Sequence, residues 1–278
     1  MATGWMAWRV MAGPLILAAF LMLAWVPAGA TPVDILSGMR LAASQLDEKD
    51  PEVAAALREA EAAIAARSAA GPEASARSLV RQGRSGKPAV SLAYPAFGID
   101  TVDEDIRLWV ESIAATFERE LTAGFGNSED LEKYELSCSY EVSRPSADAV
   151  SVLFEIWTYT GGAHGNLDLI TLNYSFITGQ RLTLVDIFED VDKALALMSA
   201  TSRDVLMRRL GGGVGEQMIL DGTEPDVNNF SSLSLDPDGV RIHFQPYQVA
   251  PWAAGAQSVS MTLEQLAPAR PFKRLWHR

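Results

Sequence analysis

From residue 88 onward the apolar residues keep two rhythms, one near 3.6 residues and one of two, and this restricts the chain to a mixed architecture. After Asp103, the residues Ile106, Trp109, Val110, Ile113, Phe117 and Leu121 fall on one helical face, with Gly124 as the stop. A stripe of such large side chains has to be buried. Residues 89–94 alternate as a strand does, and Tyr94-Pro95 closes them. Past Gly126 the period of two returns: 136–142, 149–160 and 167–177 read as strands, the last two joined by a short glycine-rich loop that suits antiparallel pairing. Residues 191–210 are helical through Val191, Leu195, Met198, Val205 and Leu206, until Gly211-Gly212-Gly213 ends them. Strands at 232–235 and 240–244 flank the turn Asp236-Pro237-Asp238-Gly239. A last strand at 257–261 leads into Thr262-x-x-Gln265, a capping box that opens a short helix. Runs of strands broken by single helices predict an α+β fold, an antiparallel sheet with helices packed on one face.

The region before residue 88 reads differently. Arg9 is the only charge before Asp34, an apolar run follows over 10–26, and Pro27 precedes Ala28-Gly29-Ala30. This three-part pattern is that of a secretory signal peptide over 1–30, cleaved after Ala30, and it predicts a periplasmic or secreted protein. An uncleaved anchor is the alternative, since the run sits at the lower edge of what spans a bilayer. With cleavage, no membrane span remains. Residues 31–87 are rich in Ala, Glu and Arg and hold no aromatic side chain. Asp50-Pro51 starts a helix that carries Val53, Leu57, Ala60 and Ile64, Gly71-Pro72 ends it, and 82–88 form a join. The expectation is a helical N-terminal spacer over 31–87.

Charge narrows the partners. The formal net charge is −12, and loss of Arg9 with the signal takes it to −13. Such a chain repels nucleic acid. It suits solubility, or long-range attraction to a cationic protein. The single cysteine, Cys138, excludes an internal disulfide, so the fold rests on its core. Lying in an apparent strand, Cys138 reads as a buried, inert thiol, with an intermolecular bridge as the other possibility.

No residue pattern assigns catalysis. The histidines are His164, His243 and His277, and no H-E-x-x-H or cysteine pair gives a metal site; no cofactor is expected either. There is no G-x-S-x-G. The acids at 103–105 and 189–192 stand at helix starts, where they face the helix dipole. His164 with Asp168 or Asp186 is the one arrangement open to an envelope hydrolase acting on peptidoglycan-type glycan or peptide. Two segments stand apart: Gly161-Gly162-Ala163-His164-Gly165-Asn166, and the loop 244–255 with Tyr247, Pro251 and Trp252. A proline-stiffened aromatic loop suits recognition, because little entropy is lost on binding, and it equally suits the locking of a corner. His164, Asn166, Tyr247, Pro251 and Trp252 are the candidate binding residues.

These two segments resemble the C-terminal domain shared by the RsiV anti-sigma factors and some peptidoglycan deacetylases. The likeness lies in Gly161 to His164, Thr178-Gly179, Leu184-Val185-Asp186-Ile187-Phe188, and Tyr247, Ala250, Pro251, Trp252, Ala253 and Gly255. It covers about 88–268, with Gly165 in place of a frequent proline and Trp252 in place of a frequent tyrosine. The resemblance implies a small α+β subdomain over 88–145, a C-terminal α+β domain over 146–278, and an extracytoplasmic module that in some relatives is a receptor for lysozyme. Nine residues precede the apolar run, which leaves no room for the cytoplasmic sigma-binding part, and no deacetylase catalytic domain is expected to follow, so neither activity is expected to come with the module. The predicted function is an exported cell-envelope binding or sensor module, with a cationic protein such as lysozyme, or an envelope component, as partner.

Overall fold

The computed structural model describes residues 71–84, 86–125, 129–211 and 215–276. Nearly all of these lie in one compact unit, Pro72–Arg278. The signal segment 1–30, the helix expected after Asp50 and His277 lie outside the described residues.

The fold is α+β, built on two sheets rather than the one expected. The first has five strands in sequential order: β1 (Ser75–Arg81), β2 (Ala89–Ala96), β3 (Glu135–Ser146), β4 (Ala149–Tyr159) and β5 (Asn166–Ser175). The second has three: β6 (Leu233–Asp236), β7 (Gly239–Phe244) and β8 (Gln257–Thr262). All pairings are antiparallel except β2 with β3, which the long helix α1 (Asp100–Phe125) connects as a parallel crossover. Among the described residues the other helices are α2 (Leu184–Ile187), α3 (Val191–Leu210), α4 (Glu216–Gly222) and α5 (Leu263–Leu266).

Each sheet keeps its helix on one face and so has its own core. Ile106, Val110, Phe117 and Leu121 of α1 pack with Val90, Leu92, Leu136, Val152, Phe154 and Tyr174. Asp103 does not cap this helix, which begins at Asp100. Its carboxylate instead accepts from the Phe97 and Gly98 amides at 2.6 and 2.8 Å, fixing the entry of the chain. Ala194, Leu195, Met198 and Leu206 of α3 pack with Leu233, Leu235, Val240, Ile242 and Phe244. Asp190 caps α3 through the Lys193 amide at 3.0 Å, and α5 opens with the Thr262–Gln265 capping box.

Two expected boundaries change. The segment 75–81 is a strand, not the end of a helical spacer. Its alternation of Arg77, Leu79 and Arg81 with Ala76, Ser78 and Val80 pairs residue for residue with β2. Such a short, charged stretch shows little hydrophobic signal, and pairing with β2 decides its state. A division at 145/146 would cut the β3–β4 hairpin, whose register runs from Glu135↔Tyr159 to Ser146↔Ala149. The first core therefore extends through β5.

The sheets stay separate because the outer edge of β5 is already occupied. The Tyr174↔Arg181 bridge and the bond from the Leu182 amide to the Asn173 carbonyl close part of it. β6 instead crosses one face of β3, β4 and β5, and their side chains satisfy its free edge. The Leu235 amide donates to Ser151 Oγ at 2.6 Å, and Ser143 Oγ donates to the Leu235 carbonyl at 3.0 Å. Asn173 Nδ2 donates to the Leu233 carbonyl at 2.8 Å while its Oδ1 accepts from Ser151 Oγ. Thr171 and Ser232 hydroxyls meet at 3.0 Å.

Cys138 is half-buried, and burial pushes its thiol up to about 12, with the Glu155 carboxylate adding to the shift. It is therefore a poor nucleophile. His243 is buried on the face of β7 away from α3, with its Nε2 2.9 Å from Ser234 Oγ. Burial lowers its imidazole to about 4, helped by Arg241.

Two predictions follow from this packing. Asn173→Ala leaves the Leu233 carbonyl and the Ser151 hydroxyl short of partners in a buried site, and should cost about 2–3 kcal/mol in urea unfolding. The exposed Asn166→Ala on the same strand should cost less than about 0.5 kcal/mol. Because the folded state holds His243 neutral well below the pH at which the unfolded chain protonates it, stability is fully present above about pH 6.5 and falls as pH drops toward 4. Between pH 7 and pH 5 the wild type should lose about 2 kcal/mol more than His243→Gln, measured by urea melts at each pH.

Candidate functional site

Both sequence-selected loops reach the same corner of the molecule. The β4–β5 loop turns on Gly161 and Gly162, with φ of 96° and 94°, a region that side chains disfavour. Gly165 is required for a different reason. A Cβ there would overlap the Trp157 indole and stand 2.8 Å from the Thr158 carbonyl. The loop is thus pressed onto Trp157, which presents His164 outward. His164 Nδ1 lies 2.7 Å from the Gly165 carbonyl and donates to it.

The β7–β8 loop is anchored by two glutamines that the sequence did not single out. Gln245 pairs its side-chain amide with the backbone of Leu169 on β5, accepting from the amide at 2.6 Å and donating to the carbonyl at 2.5 Å. It acts as a one-residue strand on that edge. Gln248 accepts from the Gln245 amide at 3.0 Å and donates to the Gly222 and Asn229 carbonyls, each at 3.0 Å. Val249 and Ala250 are buried beneath the loop, whereas Tyr247 is 54% exposed. Tyr247 sits at φ 69°, in the left-handed region. Pro251 leads into a 3₁₀ turn at Trp252–Ala254 that Gly255, also at φ 69°, terminates.

The two loops meet ring to ring. His164 stacks on Trp252 with centroids 4.7 Å apart and planes 14° apart. Tyr247 lies 5.8 Å from Trp252 at 31°, and Trp157 lies 6.3 Å from it at 45°. Of the five candidate residues, His164, Tyr247 and Trp252 come together, with Pro251 supporting the turn. Asn166 does not join them: it pairs with Thr158, on the sheet face opposite Trp157, and donates to Asp168 at 3.0 Å. Trp157 is the member missed by sequence. Its signal was parity, since it falls on the face of β4 that α1 leaves uncovered.

The acids considered with His164 are engaged elsewhere. Asp168 holds Asn166, and Asp186 accepts from the amide and hydroxyl of Thr183 at the start of α2. The Nδ1 of His164, which a catalytic triad would direct at a carboxylate, is directed at a backbone carbonyl. Among the described residues no group of three or more His, Cys, Asp or Glu is placed to hold a metal ion. Two surface hollows, one beside the start of α1 and one between β5 and the 181–187 segment, contain none of the corner residues. The corner can therefore present flat rings to a partner, and among the described residues His164 Nδ1 is bonded to the Gly165 carbonyl and not to a carboxylate.

Residues 185–264 match a family model described as a protein of unknown function, DUF3298. That segment contributes Tyr247, Pro251 and Trp252 to the corner, while Trp157 and His164 come from β4 and the β4–β5 loop, upstream of it. Peptidoglycan-N-acetylmuramic acid deacetylase PdaC of Bacillus subtilis (strain 168) is 27% identical over 183 residues, which is 66% of this chain and 38% of that protein. The match thus spans well under half the length of PdaC. A crystal structure of a DUF3298 family protein from Pseudomonas aeruginosa PAO1 covers 73% of this chain and 95% of its own, at 17% identity and a TM-score of 0.50, a likeness of fold. A DUF3298 structure from Bacteroides fragilis matches at 17% identity and a TM-score of 0.48, over 70% of this chain and 93% of that one.

Restoring a Cβ tests whether the loops are fitted to each other. Gly165→Ala should displace the Trp157 indole and cost about 1–3 kcal/mol. Near-ultraviolet circular dichroism should show a reduced tryptophan band, while Gly124→Ala, at an exposed helical position with open space around its Cβ, should leave that band intact.

Proposed function

We propose that this protein is an exported binding module of the cell envelope, and that the aromatic corner of Trp157, His164, Tyr247 and Trp252 is its contact surface. The observation that carries the reading is the convergence of these four rings, from two sheets, at an accessible corner. Rigid aromatic anchors of this kind concentrate binding energy in protein interfaces. Export is inferred from the three-part pattern of residues 1–30. An envelope setting also fits the relative that acts on peptidoglycan.

The partner proposed is a cationic protein, with lysozyme as the concrete candidate. A charge of −12 or beyond draws such a partner in and makes association salt-dependent. The resemblance to the RsiV-type receptor domain points the same way. Hydrolysis through His164 is not favoured, because its Nδ1 faces a backbone carbonyl and both acids considered for it are engaged elsewhere.

Binding of the exported protein to hen-type lysozyme, measured by calorimetry, should be detectable at about 50 mM salt and weaken severalfold at about 300 mM. Trp252→Ala should weaken it about tenfold or more, the loss expected of a hot-spot aromatic. Absence of binding at low ionic strength would remove lysozyme as the ligand.

A further inference from the structure

We propose that the aromatic corner receives an arginine or lysine side chain of the cationic partner, held over the faces of Tyr247 and Trp252 by cation–π attraction. This rests on the binding reading above and adds the chemistry by which the corner recognises its partner. The starting point is Tyr247. Its neighbours Val249 and Ala250 are buried, yet the fold keeps the Tyr247 ring out in solvent at a φ of 69°. The backbone is pinned on both sides by the Gln245 and Gln248 bonds, so the conformation is imposed by the loop. Strain held in place by surrounding bonds is a recurrent property of contact sites.

Two chemical classes settle on an exposed ring face: a sugar, through its C–H groups, and a cation, through the negative potential of the π system. Surrounding charge decides between them. The register puts Glu155 on the same face as Trp157, two residues earlier on β4 and so about 7 Å away. Glu135 stands on that face too, directly opposite Tyr159. Both are exposed. The side chains that β1 and β2 add to this face are serine, alanine, valine and proline, so no basic residue of those strands offsets the acids, and Arg209 of α3, which reaches the end of the second loop, is taken up by the Ser258 carbonyl at 2.9 Å. A guanidinium or ammonium gains from the rings and from the carboxylates together, whereas an uncharged sugar gains no Coulomb attraction.

The chain uses the same contact within its own fold. Arg144 lies over the rings of Phe97 and Phe176, at 5.6 and 5.4 Å from their centroids, and Arg274 lies over Phe272 at 4.7 Å. These distances fall inside the range in which the attraction is significant. Among the described residues no arginine or lysine lies over the corner rings, so the proposed cation is the partner's.

The test uses three probes against the purified exported protein: a short arginine–glycine peptide, the same peptide with citrulline in place of arginine, and chitohexaose. Citrulline keeps the planar shape and removes the charge. The expected result is binding of the arginine peptide, weakened about tenfold or more by citrulline. Tyr247→Leu should weaken arginine-peptide binding about fivefold or more, Tyr247→Phe should preserve it, and Glu155→Gln should weaken it by a smaller factor. Because Tyr247 is exposed, its replacement leaves the core intact. Equal binding of the arginine and citrulline peptides overturns the proposal. So does unchanged arginine-peptide binding in Tyr247→Leu, or chitohexaose binding that Tyr247→Leu abolishes. If lysozyme binds the wild type and Tyr247→Leu alike, the cation-receiving role falls and the binding reading stands. If no cationic protein binds at all, the reading itself falls.

Discussion

The architecture depends on one polar seam, in which side chains of a five-stranded sheet stand in for the missing neighbour of β6. Ser143, Ser151 and Asn173 supply the donors and acceptors that an adjacent strand would offer to Leu233 and Leu235. Buried backbone groups need such partners, and an exposed edge invites association with other chains. The seam meets both requirements while letting the second sheet lie across the first instead of extending it. Ser151 and Asn173 are themselves buried and bonded to each other, so the seam is a closed network with its polar groups satisfied.

The aromatic corner follows from that docking. β4 brings Trp157, the β4–β5 loop brings His164, and the loop after β7 brings Tyr247 and Trp252. The first two belong to the first sheet and the last two to the second. Gln245 crosses between them and fastens the loop to the backbone of Leu169. A shift of the sheets relative to each other would separate His164 from Trp252. The corner is therefore preorganised by a seam of hydroxyl and amide groups that takes no part in the contact surface itself, which limits the entropy lost on binding.

Local pattern was legible in the sequence where one element decides its own state. The helix read at 191–210 is Val191–Leu210, and the capping box at Thr262 and Gln265 is present. The loops with His164 and Trp252 were singled out by glycine, proline and aromatic content, and they meet. What the sequence concealed were relations between distant residues. Ser143 and Leu235 are 92 positions apart and Gln245 and Leu169 are 76 apart, with nothing in a serine or glutamine to announce its partner. β1 was hidden because Ser75–Arg81 is charged and short, and pairs only because β2 is beside it. Asn166 was placed with His164 by adjacency, but strand parity turns it to the other face. Trp157 required that same parity to be found.

A partner that meets the corner where the two sheets join, as proposed, should be felt by the indoles there. From residue 31 onward the chain has the indoles of Trp109, Trp157, Trp252 and Trp276. Trp109 packs on Phe154 at 4.6 Å, and Trp276 is buried with its Nε1 donating to the Asp236 carbonyl at 2.8 Å. The indole N–H resonances can be followed by NMR while a cationic protein is titrated in. The signals of Trp157 and Trp252 should move together and those of Trp109 and Trp276 should stay in place. Binding that leaves Trp157 and Trp252 unmoved would contradict the proposal.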